Sequence, residues 1–463
     1  MKRIPIRALG ALMALALAAP GAAGAETETE RLRAEFEQKL KALQQSYEER
    51  LQALEARLAS SQAQAAPAAA PPPSEPATAT AATAFNPEIS LVLQGALAKR
   101  KDVAERQLTG FFGGAHEHGG GDARGFTLGG TELTLSANID PYFRGYTNLS
   151  VVDDEIEVEE AWFQSLGLGN GLTLKGGRFL SGVGYANEQH AHAWDFADQN
   201  LMYRALFGEH LVQDGVQLKW LAPTDVWLEF GAELGRGQFF PGSDAGGNRN
   251  GAGAWAAFAH TGGDVGDAHS WRAGIGYVAA RPKQREAHLE DSLDVEALTA
   301  FSGDSKTWLA DFVWKWVPNG GDGGGSRAQH FKLQGELFRR AEDGVLGCAD
   351  NLADGGACAG YVDTYRARQS GGYLQGVWQF MPGWRLGYRY DRLHPGSVDF
   401  AGLPFTATAY RPLRHSLMAD YSPSEFSRFR LQFARDKAQQ GLADNQVTLQ
   451  YIFSLGAHGA HKF

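Results

Sequence analysis

Residues 446–455 read QVTLQYIFSL, close to the end of the chain. Every second position is apolar, through Val447, Leu449, Tyr451, Phe453 and Leu455. Thr448, Gln450, Ile452 and Ser454 lie between them. Because neighbouring side chains of a β-strand point to opposite faces, this alternation predicts a strand with one face in lipid and one in water. The chain ends on an aromatic residue, Phe463.

Residues 1–25 have the organisation of a secretion signal. A basic start with Lys2, Arg3 and Arg7 precedes an apolar run over residues 8–20 and a small-residue site, Ala23-Gly24-Ala25. The apolar run is too short to span a bilayer, so we expect cleavage before Glu26. An exported chain that ends in a lipid-facing strand is predicted to reside in the outer membrane of a Gram-negative cell.

The charge of the chain argues against nucleic acid as a partner. The predicted signal holds three of the 43 Lys and Arg residues and no acid, which leaves 53 acids against 40 bases, a formal charge of −13. Nucleic-acid-binding domains are typically basic. The 58 glycines and the 11% aromatic content suit a barrel with many turns and aromatic belts at the membrane interfaces.

Residues 26–60 are predicted to form a periplasmic α-helical coiled coil. Apolar residues recur at spacings of 4, 4, 3, 4, 4, 3 and 4 from Leu32 to Leu58, an 11-residue repeat. The stripe favours association, and we expect a homotrimer, although a lone helix docked on the body is the alternative. Residues 61–85 are rich in Pro and Ala and predict an extended linker to a body at 86–463.

The body is predicted to be an all-β, transmembrane antiparallel β-barrel of about 16 strands. Alternating segments with turn residues between them give these strands: 89–98, 130–139, 142–151, 156–166, 171–179, 214–221, 225–235, 252–260, 271–280, 307–316, 329–339, 371–380, 384–391, 412–421, 427–435 and 446–455. An even count is typical of bacterial single-chain barrels. Apart from a brief connection at 152–155, short and long connections alternate, which predicts turns at one end of the barrel and long outer loops at the other.

The third outer connection, residues 180–213, is the best candidate for controlling passage. It contains Trp, Phe and Tyr residues, which are unlike the content of a bare solvent loop. We expect it to fold into the lumen, where irregular backbone is tolerated beside water. A constriction would then be formed by Glu188, Asp195, Asp198 and Arg204. A loop that caps the surface with the same aromatics is the alternative.

Strand alternation also predicts a charged lumen. Five arginines on three adjacent strands are expected to face inward, namely Arg385, Arg389, Arg414, Arg428 and Arg430. Four acids are expected on the opposite side, namely Glu157, Glu159, Glu229 and Glu233. Such an arrangement would place a transverse field across the pore. The alternative is a solvated polar lining without selectivity.

Two cysteines, Cys348 and Cys358, lie ten residues apart in a Gly- and Asp-rich segment. An oxidising compartment favours a disulfide between them, and two free thiols are the alternative. No nucleophile-elbow, zinc-protease or P-loop motif is present, so we predict no enzyme.

Three segments of the sequence contain paired histidines that are candidate metal ligands. His-x-His pairs occur at 116/118 and at 190/192, and His458 and His461 lie near the end. Such a pair can ligate zinc or copper but needs further ligands. We therefore predict no metal and no cofactor, with exposed polar loop residues as the simpler interpretation.

The body resembles the trimeric bacterial porins, notably those with an N-terminal coiled coil such as the phosphate- and sugar-selective ones. Residues 157–199, from EVEEAWFQ to AWDFADQ, and the ending LQYIFSLGAHGAHKF are similar to a family of poorly characterised proteobacterial outer-membrane proteins. Members are often labelled porins or zinc-responsive outer-membrane receptors. Two features depart from the porin pattern: a Gly/Ala/His tail separates Phe463 from the last strand, and the net charge is negative.

Residues and resemblance together predict an outer-membrane porin that passes small hydrophilic solutes, with outer-membrane lipid as its surroundings. The alternative is a zinc- or copper-linked receptor or uptake channel that uses the loop histidines. A third possibility is a barrel that serves as an anchor for a periplasmic spacer.

Overall fold

The computed structural model describes Lys41 and residues 87–103, 106–112, 124–152, 155–318, 328–351, 355–358 and 360–456. The chain forms two compact units, Met1–Thr78 and Ala79–Phe463, and every described residue except Lys41 belongs to the second. The predicted signal, coiled coil and linker therefore lie outside the described residues, apart from the helical, exposed Lys41. The same is true of His116, His118, His458, His461 and Phe463.

Within the described ranges, eighteen strand segments make up a single antiparallel sheet. They are β1 Glu88–Lys99, β2 Gly125–Leu128, β3 Thr131–Asn138, β4 Phe143–Val152, β5 Glu155–Ser165, β6 Leu172–Leu180, β7 Val212–Leu221, β8 Trp227–Gly235, β9 Ala254–Val265, β10 His269–Ala280, β11 Arg285–Glu290, β12 Glu296–Trp316, β13 His330–Asn351, β14 Val362–Met381, β15 Trp384–Asp399, β16 Leu413–Ser424, β17 Ser427–Lys437 and β18 Asp444–Gly456.

Helices are few and short in the described part of the chain. A 3-10 turn spans Ala191–Ala193, α1 spans Leu201–Phe207 and α2 spans Asp244–Gly247. None of these described helices has the length and apolar content to cross a bilayer.

The sheet closes on itself because β1 pairs with β18, from Ser90 opposite Gly456 to Lys99 opposite Val447. Two positions in the wall hold interrupted strands. β2 and β3 both pair with β1, and β10 and β11 both pair with β12. The described strands therefore form a sixteen-stranded barrel, which confirms the predicted all-β antiparallel barrel and its strand number. Closure joins the first and last strands, which would otherwise be the two edges of the sheet.

Polarity along the strands is inverted relative to a soluble protein. In β18, Gln446 and Gln450 are buried inside the barrel, whereas Leu449 is 50% exposed and Leu455 is 52% exposed on its outer surface. The same alternation places Trp308, Phe312, Leu386 and Leu431 on the outside. An apolar outer surface around a polar interior is the arrangement that a lipid environment requires.

Four strands are longer than the sequence pattern predicted. Segments 296–306, 340–351, 362–370 and 392–399 were assigned to outer connections, and that assignment is wrong because they continue β12 to β15. Their polarity explains the error. In β14, Tyr365 and Ala367 are buried inside while Arg366 and Arg368 point outward. The prediction assumes that the outward residues of each strand are apolar. In these segments the inward residues are apolar, so the segments were not recognised as strands.

Candidate functional site

The connection between β6 and β7, residues 181–211, runs through the interior of the barrel. Its ends are held together by Ser181, whose backbone N–H donates to the Leu211 carbonyl at 2.9 Å. Asn187 is fully buried between them. Its amide nitrogen donates to the carbonyls of Ser181 at 2.8 Å and Leu211 at 3.0 Å, and its oxygen accepts from the Leu211 N–H. The segment is the third connection of the sequence analysis, and it is not a surface cap.

α1 anchors the far part of this connection. Asn200 caps the helix by accepting a hydrogen bond from the Tyr203 N–H at 3.0 Å, and Gly208 ends it with φ of 70°. The apolar side chains of α1 are buried in one cluster with inward-facing wall residues such as Leu309, Phe338 and Leu393. Apolar burial therefore holds this part of the segment inside a mostly polar barrel.

Asp195 links the third connection to side chains of β13, β14 and β15. One carboxylate oxygen accepts from Arg385 Nη1 at 3.0 Å. The other lies 2.5 Å from Lys332 Nζ and accepts from Gln375 at 2.9 Å. Arg385 also forms an ion pair with Asp420 on β16. The charges in this group are thus paired within the barrel.

Asp198, like Asp195, pairs with arginines of the barrel wall, here on β15 and β16. Its carboxylate accepts from Arg389 Nη2 at 2.7 Å and from Gln432 at 3.1 Å, and it forms a short contact with Arg414. Asp391 pairs with Arg389 as well, at 3.0 Å, and also accepts from the Leu201 N–H of α1. Two acids and two arginines therefore share one buried network.

The last two arginines of the wall contact the backbone of the third connection. Arg430 is fully buried and donates to the Trp194 carbonyl at 2.7 Å. Arg428 donates to the His192 carbonyl at 3.5 Å. All five predicted arginines thus lie inside the barrel and contact this segment, so they hold it rather than facing open lumen.

The predicted acids lie on the other side of the segment. Glu233 accepts from the Ser181 hydroxyl at 2.7 Å and the Gly182 N–H at 2.9 Å. Glu229 pairs with Lys219 at 2.9 Å, and Glu159 contacts His190. Glu157, Glu188 and Arg204 are partly buried. The third connection thus separates the acidic side from the basic side, and its own charges neutralise much of the basic side.

The histidines of the third connection occupy a pocket of carboxylates. His190 lies between Glu159, 2.8 Å from Nδ1, and Glu160, 2.9 Å from Nε2. His192 Nδ1 lies 2.9 Å from Glu132. Both side chains are mostly buried, at 12% and 14% exposed, so the interpretation of these two histidines as exposed loop residues is wrong.

Several interior residues escaped the sequence analysis. Glu132, Glu160, Lys332 and Glu336 all contact the third connection. The signal for Glu132 was present, since it alternates with Leu133 in a predicted strand. Glu160 had no such signal, because it directly follows the inward-facing Glu159.

Comparison with known proteins gives one relative by sequence. No protein-family model matches the chain. An uncharacterised protein of Aquifex aeolicus (strain VF5) is 31% identical over 405 residues, which cover 82% of this chain and 80% of the relative.

Solved structures with a similar course of the chain include outer-membrane proteins. A loop-deletion variant of OmpT, an outer-membrane protein of Vibrio cholerae, has a TM-score of 0.48 at 12% identity and covers 80% of this chain and 99% of its own. The outer-membrane channel DcaP of Acinetobacter baumannii has a TM-score of 0.47 at 12% identity, with coverages of 80% and 97%. An anion-selective porin from Comamonas acidovorans has a TM-score of 0.44 at 10% identity, with coverages of 80% and 99%.

Proposed function

This chain belongs to the family of the Aquifex aeolicus protein, and we propose that it forms a diffusion channel for small hydrophilic solutes in the outer membrane of a Gram-negative cell. The observation that carries the proposal is the third connection, which lies inside a closed barrel and is bound to its inner wall on opposite sides. A barrel that served only to anchor a periplasmic spacer would not need a polar interior with a segment bound across it.

The outer surface supports a membrane location. Large apolar side chains are exposed all around the barrel, while charged and amide side chains are buried inside it. Because the sheet closes through β1 and β18, the backbone groups of the wall are paired between strands and do not need hydrogen bonds from the lipid side. We also propose that residues 1–25 are a secretion signal that directs export of the chain to this membrane.

Selection would depend on size and charge at the third connection. Glu188, Asp195, Asp198 and Arg204 project from it, and the five arginines face it. Because Asp195 and Asp198 are paired with arginines, their negative charge would be largely cancelled, and a solute would meet only the residual field. Loss of these acids would leave the arginines in excess and favour anions.

The N-terminal part would serve assembly. We assign residues 26–60 to a periplasmic coiled coil that holds three barrels together through the linker at 61–85. A homotrimer would give stepwise insertions in groups of three in a planar bilayer.

The test is the ionic current through the full-length protein in planar bilayers under a salt gradient. Wild-type protein is expected to give steady conductance, and the double variant Asp195→Asn/Asp198→Asn should raise conductance and shift the reversal potential towards anion preference. Asp264→Asn is the matched control, because Asp264 is exposed at the end of β9. A protein that inserts but carries no current would overturn the proposal, as would equal effects of the double variant and the control.

A second candidate function is metal uptake, in which His190 and His192 capture zinc or copper as cargo. The observation that favours it is the contact of both rings with three carboxylates inside the barrel. Metal uptake predicts accumulation of zinc or copper by cells that make the protein and a loss of that accumulation in the His190→Ala variant.

A further inference from the structure

The side chains around Glu132 present a set of donor atoms at metal-binding distances. One donor atom each from Glu132, Glu159 and His190 lie within 4.8 Å of one another. His190 Nδ1 is 2.8 Å from Glu159 and 3.6 Å from Glu132. Around a tetrahedral zinc ion with bonds of 2.0–2.1 Å, neighbouring donors are about 3.3 Å apart. Small side-chain adjustments would therefore bring these atoms around one ion.

A fourth donor lies on the other side of Glu132. His192 Nδ1 is 2.9 Å from each of its carboxylate oxygens. The two imidazole rings are nearly parallel, at 14° with centroids 6.0 Å apart, so that both Nδ1 atoms converge on Glu132. With a movement of the His192 ring towards the three-atom group, two nitrogens and two carboxylates would form a four-coordinate set.

Glu160 holds His190 in the orientation that a ligand needs. Its carboxylate contacts Nε2 of His190, the nitrogen that faces away from Glu132 and Glu159. Glu160 is itself fixed, since it accepts from Trp162 Nε1 and from the Leu180 N–H, both at 3.1 Å. A carboxylate behind a ligating histidine is the usual second contact in metal sites, where it sets the ring orientation and strengthens the ligand.

A β-bulge makes this arrangement possible. The pairing of β4 with β5 shifts so that Asn148 faces Glu160 while Leu149 faces Val158, which leaves Glu159 as the extra residue. In a regular strand, Glu159 and Glu160 would point to opposite faces. The bulge directs both towards His190, and bulges of this kind are common where a side chain must be re-aimed.

The donor types indicate which ion would fit. Imidazole and carboxylate without thiolate suit Zn²⁺ and related divalent transition metals, whereas Mg²⁺ and Ca²⁺ prefer oxygen alone. The cluster also carries three carboxylates, of which Glu132 and Glu160 are buried and Glu159 is one-third exposed. Lys175 is a further cation close to Glu160. A divalent ion would compensate this negative charge.

We propose that Glu132, Glu159, His190 and His192 bind a divalent transition-metal ion, with Zn²⁺ the best match, and that the ion fastens the third connection to β3 and β5. Two ligands, Glu132 and Glu159, belong to the wall and two, His190 and His192, to the connection, so the ion would join the connection to the wall. The metal site itself does not depend on the proposed channel function. An effect of the ion on ionic current does depend on it.

The first experiment is calorimetric titration of the full-length protein in detergent with Zn²⁺, using an affinity tag without histidine and Mg²⁺ as the comparison ion. One zinc per chain is expected. His190→Ala and Glu159→Gln should each weaken binding at least about tenfold. Glu159→Gln keeps the size of a one-third exposed side chain, so it tests the ligand without a folding defect.

The matched control is the double variant His116→Ala/His118→Ala, which removes the other His-x-His pair of the sequence. It should retain wild-type affinity. X-ray absorption at the zinc edge should report two nitrogen and two oxygen ligands in the wild type. Loss of binding in the control but not in His190→Ala would overturn the assignment, as would no zinc binding at all, which would leave an ordinary ion-pair cluster.

Bilayer recordings separate the site from the channel. If both proposals hold, zinc changes the conductance of the wild type and leaves that of His190→Ala unchanged. Zinc bound at these residues without any effect on a measurable current would overturn the proposal that the ion joins the connection to the wall. Zinc bound by a protein that carries no current would overturn the channel and support the site.

Discussion

The Tyr203 hydroxyl on α1 donates a 2.8 Å hydrogen bond to Glu336 Oε2 on β13, which joins the third connection to the wall across 133 residues of sequence. Tyr373 donates to the other carboxylate oxygen at 2.7 Å, and the Ala186 N–H donates to it at 2.9 Å. Glu336 is 1% exposed, so its carboxylate depends on these donors in place of water.

Tyr203→Phe should therefore destabilise the protein. It removes one donor from a buried carboxylate, at an expected cost of about 1–3 kcal/mol. The measurement is denaturant unfolding in detergent, followed by tryptophan fluorescence. Tyr142→Phe is the control, because Tyr142 is 68% exposed in a turn. Equal midpoints for the two variants would contradict the role of Tyr203.

Asn187→Ala should loosen the third connection at its two ends. Three hydrogen bonds from one fully buried side chain are lost, including the one that satisfies the Leu211 N–H. Trypsin should then cleave after Arg204 at least several-fold faster than in the wild type, as mass spectrometry of the fragments would show. Asn250→Ala, at an exposed position, should not change the cleavage rate.

The disulfide between Cys348 and Cys358 should stabilise the segment between β13 and β14. Its half-cystines are buried in a cluster with Leu289, Phe301 and Tyr365. A cross-link between cysteines ten residues apart lowers the conformational entropy of the unfolded chain, which stabilises the folded state by about 2–3 kcal/mol. The double variant Cys348→Ser/Cys358→Ser should be cut faster by protease within 352–361. Reductant should produce the same effect in the wild type and none in the variant.

Acid should release the turn at Asp291 from the disulfide segment. Backbone N–H groups of Ala357, Leu293 and Val295 donate to the Asp291 carboxylate and lower its pKa. A pKa that is lower in the folded state gives stability that is present above the unfolded value, near 4, and is lost as the pH falls below it. Cleavage of 355–358 by an acid-active protease should rise between pH 5 and pH 3. In Asp291→Asn this dependence should be weaker, and an unchanged profile would contradict the role of the carboxylate.

Local alternation was enough to predict most of the barrel. The strand number follows from a period of two residues, which each segment displays by itself, as in Val447 to Leu455. The same period predicted the inward direction of Arg385, Arg389 and Arg430, because no bulge interrupts the middle of β15 or β17. Where the outer surface becomes polar, as at Arg366 and Arg368, the pattern gave the wrong strand ends.

The candidate sites were less accessible to sequence reasoning. Aromatic content and position predicted that the third connection enters the lumen. The sequence does not show which residue each of its charged side chains contacts. Asp195 meets Arg385 across 190 residues, and His192 meets Glu132 across 60. The bulge that turns both Glu159 and Glu160 inward has no sequence signal in the alternation.

The sequence by itself determined the barrel, its strand count and the two faces of its strands, because these depend on side-chain polarity within ten residues. Only the tertiary structure decided what the interior contains. Closure brings strands from both ends of the chain around one connection, and the contacts of Asp198 with Arg389 and Arg414 or of His190 with Glu159 and Glu160 arise from that closure. Such pairs form because buried charges need partners, whichever part of the chain supplies them.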